Sequence, residues 1–192
     1  MTTRKTIVIN GLSAQRGGGQ TYLINLFRFF GYSREARVVA LVPPQYTHRF
    51  VYPGIEIYSP PLPSGRIIPR LIWEKFKLPA LLGSLGADVL YCPGGVLSPW
   101  APPRSCKTAV AFRNMLPFAP GERKRYPFSY YRFRLLALKY LQSRSFNRAD
   151  LVIFLSHYAQ SIIDQYLPHR RRLLAEFRHR LKSRGQHRTP RG

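Results

Sequence analysis

Six short apolar runs, separated by longer polar or helix-like stretches, constrain the fold of this 192-residue chain more than any other feature. Their β-branched residues and short lengths predict buried strands, and the long connections between them predict parallel pairing. The runs are KTIVIN (5–10), ARVVALV (36–42), IEIYS (55–59), ADVLYC (87–92), KTAVAF (107–112) and ADLVIF (149–154). The sequence therefore predicts an α/β fold, a doubly wound parallel sheet with helices on both faces.

The connections carry helical signals. Apolar residues spaced i, i+3, i+4 and i+7 predict a helix that follows three glycines and stops near Gly31, and a last helix that begins at His157. The range 67–85 is predicted to be helical with a break near Pro79, and 128–147 is a further helix candidate. The two spaced sets are Leu23, Leu26, Phe27, Phe30 and Ala159, Ile162, Ile163, Tyr166.

Charge is the unusual part of the composition: 31 Lys and Arg stand against 8 Asp and Glu, a formal net charge of +23. Residues 104–148 hold 11 of these bases and residues 168–192 hold 9, each range with a single acid. The excess indicates an anionic partner. The 45% apolar content excludes a disordered chain.

Cys92 and Cys106 are the only cysteines, and their spacing fits no zinc site, so we expect two packed thiols and neither metal nor cofactor. The first apolar run ends at Asn10 and is therefore too short for the core of a signal peptide. No apolar run approaches the length of a membrane span. We expect a cytoplasmic protein.

The carboxyl ends of parallel strands meet at one edge of a sheet, where ligands of such folds bind. Four loops should therefore converge on one crevice. These are the glycine loop after the first strand, PGG (93–95), RNMLPF (113–118) and Ser156 with His157.

Gly17, Gly18 and Gly19 are predicted to let a phosphate or a sugar hydroxyl approach the backbone at a helix N-terminus. A flexible turn is the alternative reading. The loop fits neither G-x-G-x-x-G nor the lysine-containing P-loop.

Arg113 could pair with a carboxylate or phosphate, and Asn114 could bind sugar hydroxyls, or both could satisfy local carbonyls. Ser156 most simply caps the helix that begins at His157, and it could also touch a ligand there. No nucleophile or acid–base pair stands out, since Asp88, Asp150 and Asp164 are isolated, so the catalytic residues are unassigned.

The range 123–140 mixes bases with aromatic residues, as a platform for single-stranded nucleic acid or a membrane-surface helix would. Its bases fall on opposite sides of a helix, which favours a core helix with snorkelling bases.

As an ordered set, four segments resemble the N-terminal domain of a group 1 (family 4) glycosyltransferase of the two-domain GT-B architecture. They are GGGQTYLINLF (17–27), ADVLYCPGGVLSP (87–99), FRNMLPFAP (112–120) and RADLVIFLSHYAQSII (148–163). The resemblance covers about residues 4–167 and implies a Rossmann-like, acceptor-side domain over 1–167.

The resemblance further implies retaining transfer of a sugar from a nucleotide sugar to a glycan or lipid-linked acceptor, without a metal. In that family the glycine loop, here Gly17 to Gly19, lies next to the donor phosphates. Arg113 and Asn114 stand where many members have a histidine-containing segment.

Residues 168–192 depart from the family, whose second domain would carry the donor site. We expect a basic tail there, either an amphipathic helix on an anionic membrane or the product of a truncated or frameshifted gene. The expectation is a fragment that is inactive alone, with peripheral attachment to the inner membrane face as one alternative and a basic membrane- or RNA-binding module as another.

Overall fold

The computed structural model describes residues 4–14, 17–31, 35–63, 66–98, 102–103, 105–119, 121 and 130–166. Six strands form one sheet in which every described pairing is parallel, in the order β3-β2-β1-β4-β5-β6. Their bounds are β1 Lys5–Asn10, β2 Ala36–Leu41, β3 Ile55–Tyr58, β4 Val89–Cys92, β5 Lys107–Phe112 and β6 Leu151–Phe154. The predicted Rossmann-like parallel sheet is confirmed.

Five helices among the described residues connect or follow these strands, as the sequence predicted. They are α1 Gly18–Gly31, α2 Ile67–Phe76, α3 Leu78–Ser84, α4 Tyr130–Arg148 and α5 His157–Tyr166, with short 3-10 helices at Pro44–Arg49 and Leu116–Phe118. The break predicted near Pro79 falls at Lys77, between α2 and α3. Pro79 lies in the first turn of α3, where a missing N–H costs no helical hydrogen bond.

The sheet carries a separate apolar core on each face. On the α1 side, Leu23 and Phe27 pack with Phe50, and the two phenylalanine ring centroids are 5.7 Å apart. On the other side, the Phe112 ring lies 5.3 Å from Phe118 and 5.5 Å from Phe146. Burial on both faces explains why the strands read as continuous apolar runs.

Two of the predicted strands begin later in the structure than in the sequence analysis. Asp88 and Asp150, expected inside the fourth and sixth strands, precede them and use their carboxylates on neighbouring strands. Asp88 accepts from the Thr6 amide at 2.8 Å, and Asp150 accepts from the Thr108 amide at 2.8 Å. Each aspartate is therefore hydrogen-bonded to the backbone near the start of an adjacent strand.

Helix α4 corrects the prediction of a core helix. It buries Leu135 and Phe146, together with the polar Gln142 and Ser145, but most of its aromatic rings face outward. Tyr130, Phe133 and Tyr140 are 79%, 71% and 63% exposed. The basic tail 168–192 lies outside the described residues.

Candidate functional site

The sheet order places the ends of β1 and β4 side by side, although 78 residues of chain separate Asn10 from Val89. Crossovers leave β1 and β4 toward opposite flanks of the sheet, which makes this position the topological switch point of the fold. Ligands of such folds bind at this position of the carboxyl edge, where the loops that follow β1, β4 and β5 lie next to one another.

The glycine loop forms the first wall. Gly17 has φ +57°, and α1 begins at the next residue, with the Gln20 amide donating to the Gly17 carbonyl oxygen at 2.9 Å. A Cβ built on Gly17 or Gly18 would meet no atom within 4 Å, whereas one on Gly19 would lie 3.3 Å from Ala14 Cα. The backbone at Gly17 and Gly18 is therefore open to an approaching group.

Arg113 joins this wall to the other two loops. Its Nε donates to the Pro93 carbonyl oxygen at 2.8 Å, and its Nη1 donates to the Gly18 carbonyl oxygen at 3.3 Å. Its guanidinium carbon lies 4.3 Å from the ring centroid of Tyr22. The side chain thus connects the glycine loop, the exit of β4 and the exit of β5, and it brings a positive charge to the N-terminus of α1.

The glycines after β4 allow two close approaches. A Cβ built on Gly94 would lie 2.5 Å from Ser13 Oγ, in the loop after β1. Gly95 has φ +75°, and a Cβ there would lie 2.9 Å from Gln142 Nε2 and 3.0 Å from the Ala111 carbonyl oxygen. The PGG segment therefore packs directly against the first wall and against α4.

A tyrosine pair that the sequence analysis missed lies beside Arg113. The hydroxyls of Tyr22 and Tyr91 are 2.6 Å apart, and burial together with the hydrogen bond to Tyr22 raises the pKa of Tyr91. Tyr91 lies in β4, which pairs with β1 on one side and β5 on the other and is buried on both faces of the sheet. The strand pattern could not indicate which face its hydroxyl would reach, so only the pairing of β1 with β4 reveals the contact.

A buried polar group that the sequence analysis also missed lies at the end of β1. Asn10 Nδ2 donates to Glu74 Oε1 at 3.1 Å, and Asn10 Oδ1 accepts from the Leu12 amide at 3.2 Å. Arg70 Nε lies 3.7 Å from the same Glu74 oxygen. Burial raises the pKa of Glu74, and the nearby Arg70 and Asn10 partly offset this. In the sequence, Asn10 shows only that a strand ends there. No local pattern indicates that its side chain contacts Glu74, which lies 64 positions away.

Two of the predicted ligand-binding residues use their side chains locally. Asn114 Oδ1 accepts from the Leu116 amide at 3.1 Å, and Ser156 Oγ accepts from the Ala159 amide at 3.1 Å, as an N-cap of α5 does. Ser156 follows β6, two strands away from β4 along the same edge. Contacts therefore join three of the four predicted loops, and ligand binding by Asn114 and Ser156 stays a prediction.

The part of the chain that the structure describes contains neither a candidate metal site nor a candidate membrane-spanning helix. No group of three or more His, Cys, Asp or Glu side chains in that part of the chain could hold a metal ion. No helix there has the length and apolarity to span a membrane. His157, the histidine nearest the predicted crevice, is exposed at the start of α5.

Most of the chain matches a known protein family. A family model described as Glycosyltransferase Family 4 matches residues 16–174, which is more than half of the chain. A search of curated proteins gives no significant match. The matched range includes α1, the loop of Arg113 and the loop after β4.

Proposed function

Because the chain belongs to glycosyltransferase family 4, we propose that it takes part in transferring a sugar from a nucleotide-sugar donor to an acceptor, with retention at the anomeric carbon. The observation that carries the proposal is Arg113, which follows β5 and donates hydrogen bonds to the loop after β4 and to the glycine loop after β1. The acceptor, a glycan or a lipid-linked sugar, would enter from the side of this domain.

Gly17, Gly18 and Gly19 would lie against the donor diphosphate. Phosphate oxygens need N–H donors and positive potential at short range, and a helix N-terminus supplies both. The Arg113 guanidinium adds a full charge near the same point, since its Nη2 lies 4.0 Å from the Cβ position of Gly19. Asn114 and Ser156 would contact sugar hydroxyls only through the donor and acceptor positions that their local hydrogen bonds do not use.

Gly18→Ala tests the role of the loop without disturbing the fold. The added methyl group meets no protein atom within 4 Å, but it would occupy space through which a phosphate reaches the backbone. We expect calorimetric titration with a nucleoside diphosphate to show binding weakened by about tenfold or more, which is about 1.4 kcal/mol.

Gly83→Ala is the matched control, because a Cβ there also meets nothing within 4 Å and Gly83 lies in α3. Its affinity should equal that of the parent chain. Equal binding by the Gly18→Ala and parent proteins would remove the glycine loop from the site.

We further propose that these 192 residues do not transfer sugar by themselves. Among the described residues, the crevice walls offer main-chain groups and Arg113, and the nearby carboxylate, Glu74, is only 7% exposed. Fixed charges on more than one side of a diphosphate are what stabilise a departing phosphate. An assay with labelled nucleotide sugars and the purified chain should show no transfer above a blank, and labelled product would refute this.

The proposed setting is the cytoplasm. Cys92 and Cys106 are both buried free thiols, and burial raises the pKa of each, so neither is poised to react. Unpaired buried thiols fit a reducing compartment.

A further inference from the structure

The aromatic ring of Tyr22, in the first turns of α1, packs against the guanidinium group of Arg113. The guanidinium carbon lies 4.3 Å from the ring centroid, a distance at which the negative face of the ring attracts the cation. Two hydrogen bonds use part of the same group, since Nε donates to the Pro93 carbonyl oxygen at 2.8 Å and Nη1 donates to the Gly18 carbonyl oxygen at 3.3 Å. Arg113 is therefore restrained both on a face and along an edge of its planar group.

The remaining nitrogen of Arg113 lies beside the start of α1. Nη2 makes no hydrogen bond among the described residues, and it lies 4.0 Å from the Cβ position of Gly19. Because arginine presents its donors in a rigid planar fork, restraint of Nε and Nη1 also fixes the direction of the Nη2 donors. A phosphate at the N-terminus of α1 would meet donors whose direction is set before it binds.

The ring of Tyr22 is itself held by the sheet. Its hydroxyl oxygen lies 2.6 Å from the hydroxyl oxygen of Tyr91 in β4, and Tyr91 is only 6% exposed. Burial, followed by the hydrogen bond with Tyr22, raises the pKa of Tyr91, so both hydroxyls stay protonated at neutral pH. The hydroxyl pair thus fixes the ring of Tyr22 relative to β4.

We propose that Tyr22 is a positioning residue for the donor diphosphate, whose ring holds Arg113 with Nη2 at the N-terminus of α1. This inference rests on the proposed binding of phosphate at that position. Tyr22 itself would not touch the phosphate and acts through Arg113. The ring also keeps water from one face of the guanidinium group, which strengthens the attraction between its charge and an anion.

Calorimetric titration of the full chain with inorganic pyrophosphate tests this arrangement. The variants are Tyr22→Phe, Tyr22→Leu, Arg113→Met, and Tyr22→Leu combined with Arg113→Met. Tyr166→Leu is the matched control, because Tyr166 makes the same kinds of contact at the end of α5. Lys139 Nζ lies 4.1 Å from its ring centroid, and its hydroxyl donates to the Phe118 carbonyl oxygen at 3.3 Å.

We expect Tyr22→Leu to weaken pyrophosphate binding about fivefold, and Tyr22→Phe only about twofold because the ring remains. Tyr166→Leu should bind as the parent does, and Arg113→Met should bind about tenfold or more weakly. Adding Tyr22→Leu to Arg113→Met should cause no further loss, because Tyr22 acts through Arg113. Parent-like binding by Tyr22→Leu, an equal loss with Tyr166→Leu, or losses that multiply in the double variant would overturn the proposal.

Ring fluorination separates the attraction of the cation from a role in filling space. Tyr22→Phe proteins can be made with ring-fluorinated phenylalanine at that single position. Fluorine withdraws electron density from the face of the ring and changes its size little, so the affinity for pyrophosphate should fall stepwise as fluorine atoms are added. This series also serves if Tyr22→Leu does not fold. An affinity that is independent of the fluorine content would overturn the proposal.

The parent chain distinguishes failure of this inference from failure of the proposed function. If the parent binds pyrophosphate and the Tyr22 variants bind it equally well, only the role of Tyr22 is refuted. If the parent shows no saturable binding, the phosphate site at α1 is refuted, and the role of Tyr22 is refuted with it.

Discussion

Gly95 shows how closely the site loops are packed at the scale of single residues. It combines a φ of +75° with contacts that leave no room for a side chain, 2.9 Å to Gln142 Nε2 and 3.0 Å to the Ala111 carbonyl oxygen from a built Cβ. Gln142 could move, but the Ala111 carbonyl belongs to β5 and is fixed by the sheet. Both the backbone conformation and the space therefore require glycine here.

Gly95→Ala should destabilise the chain by about 1 to 3 kcal/mol, because it adds strain at a positive φ to an overlap with strand backbone. Gly83→Ala, in helix α3 with open space around it, should stabilise by about 0.5 to 1 kcal/mol. Urea unfolding of the two variants checks the opposite signs. A Gly95→Ala protein as stable as the parent would show that the close packing after β4 is not what the structure describes.

At the scale of residues, the sequence indicated single positions but not the residues that they contact, and ligand binding at those positions stays a prediction. Arg113 was identified because a charged side chain directly follows an apolar strand, but its bonds to Pro93 and Gly18 depend on which loops lie beside it. The Tyr22–Tyr91 pair and the buried Asn10–Glu74 bond were missed for the same reason. Each joins residues more than 60 positions apart, and no local pattern contains that information.

At the scale of elements, two aspartates that precede strands make equivalent hydrogen bonds to the neighbouring strand. Asp150 accepts from the Thr108 amide at 2.8 Å and from Lys107 Nζ at 3.1 Å, as Asp88 does from Thr6 and Lys5. Burial opposes ionisation of Asp150, but these hydrogen bonds outweigh it and lower its pKa. The ionised form is therefore favoured by folding.

A lowered pKa in the folded state gives a stabilisation that is present above about pH 4, the ordinary value for aspartate, and is lost as pH falls through the folded value. Asp150→Asn should lower the free energy of unfolding at pH 7 by about 0.5 to 1 kcal/mol, since solvent screens this exposed group. Thermal unfolding across pH should show the two proteins converging in acid. Asp164→Asn, on α5, is the control, and a difference that persists at low pH would contradict the assigned cause.

Strands could be predicted from composition because burial on both faces demands continuous apolar runs, and β5 was placed to the residue. Helix α4 could not be oriented in the same way. Its apolar residues surround the helix, so no stripe in the sequence distinguishes the inward Phe146 from the outward Phe133. The sheet decides, and polar Gln142 and Ser145 are buried because they pack on the loop after β4.

At the scale of the whole molecule, the strand order brings together loops that are far apart in the sequence. Alternating strands and helices predicted that the carboxyl ends would share one edge, and the order β3-β2-β1-β4-β5-β6 places the glycine loop beside PGG at the switch point. Membership of glycosyltransferase family 4 agrees with this parallel sheet, and the binding of a sugar nucleotide at that position is our proposal. Position along the edge still separates Ser156, after β6, from the loops that Arg113 connects.

We propose that donor phosphates bind at the N-terminus of α1. The test is to record NMR amide shifts of the isotopically labelled chain while a nucleoside diphosphate is added. We predict that the largest changes fall on the amides of Gly18, Gly19 and Gln20 and of Gly94 and Gly95, with saturation at a single affinity. Changes confined to the opposite edge of the sheet, around Lys107 and Asp150, or no saturable change at all, would contradict the claim.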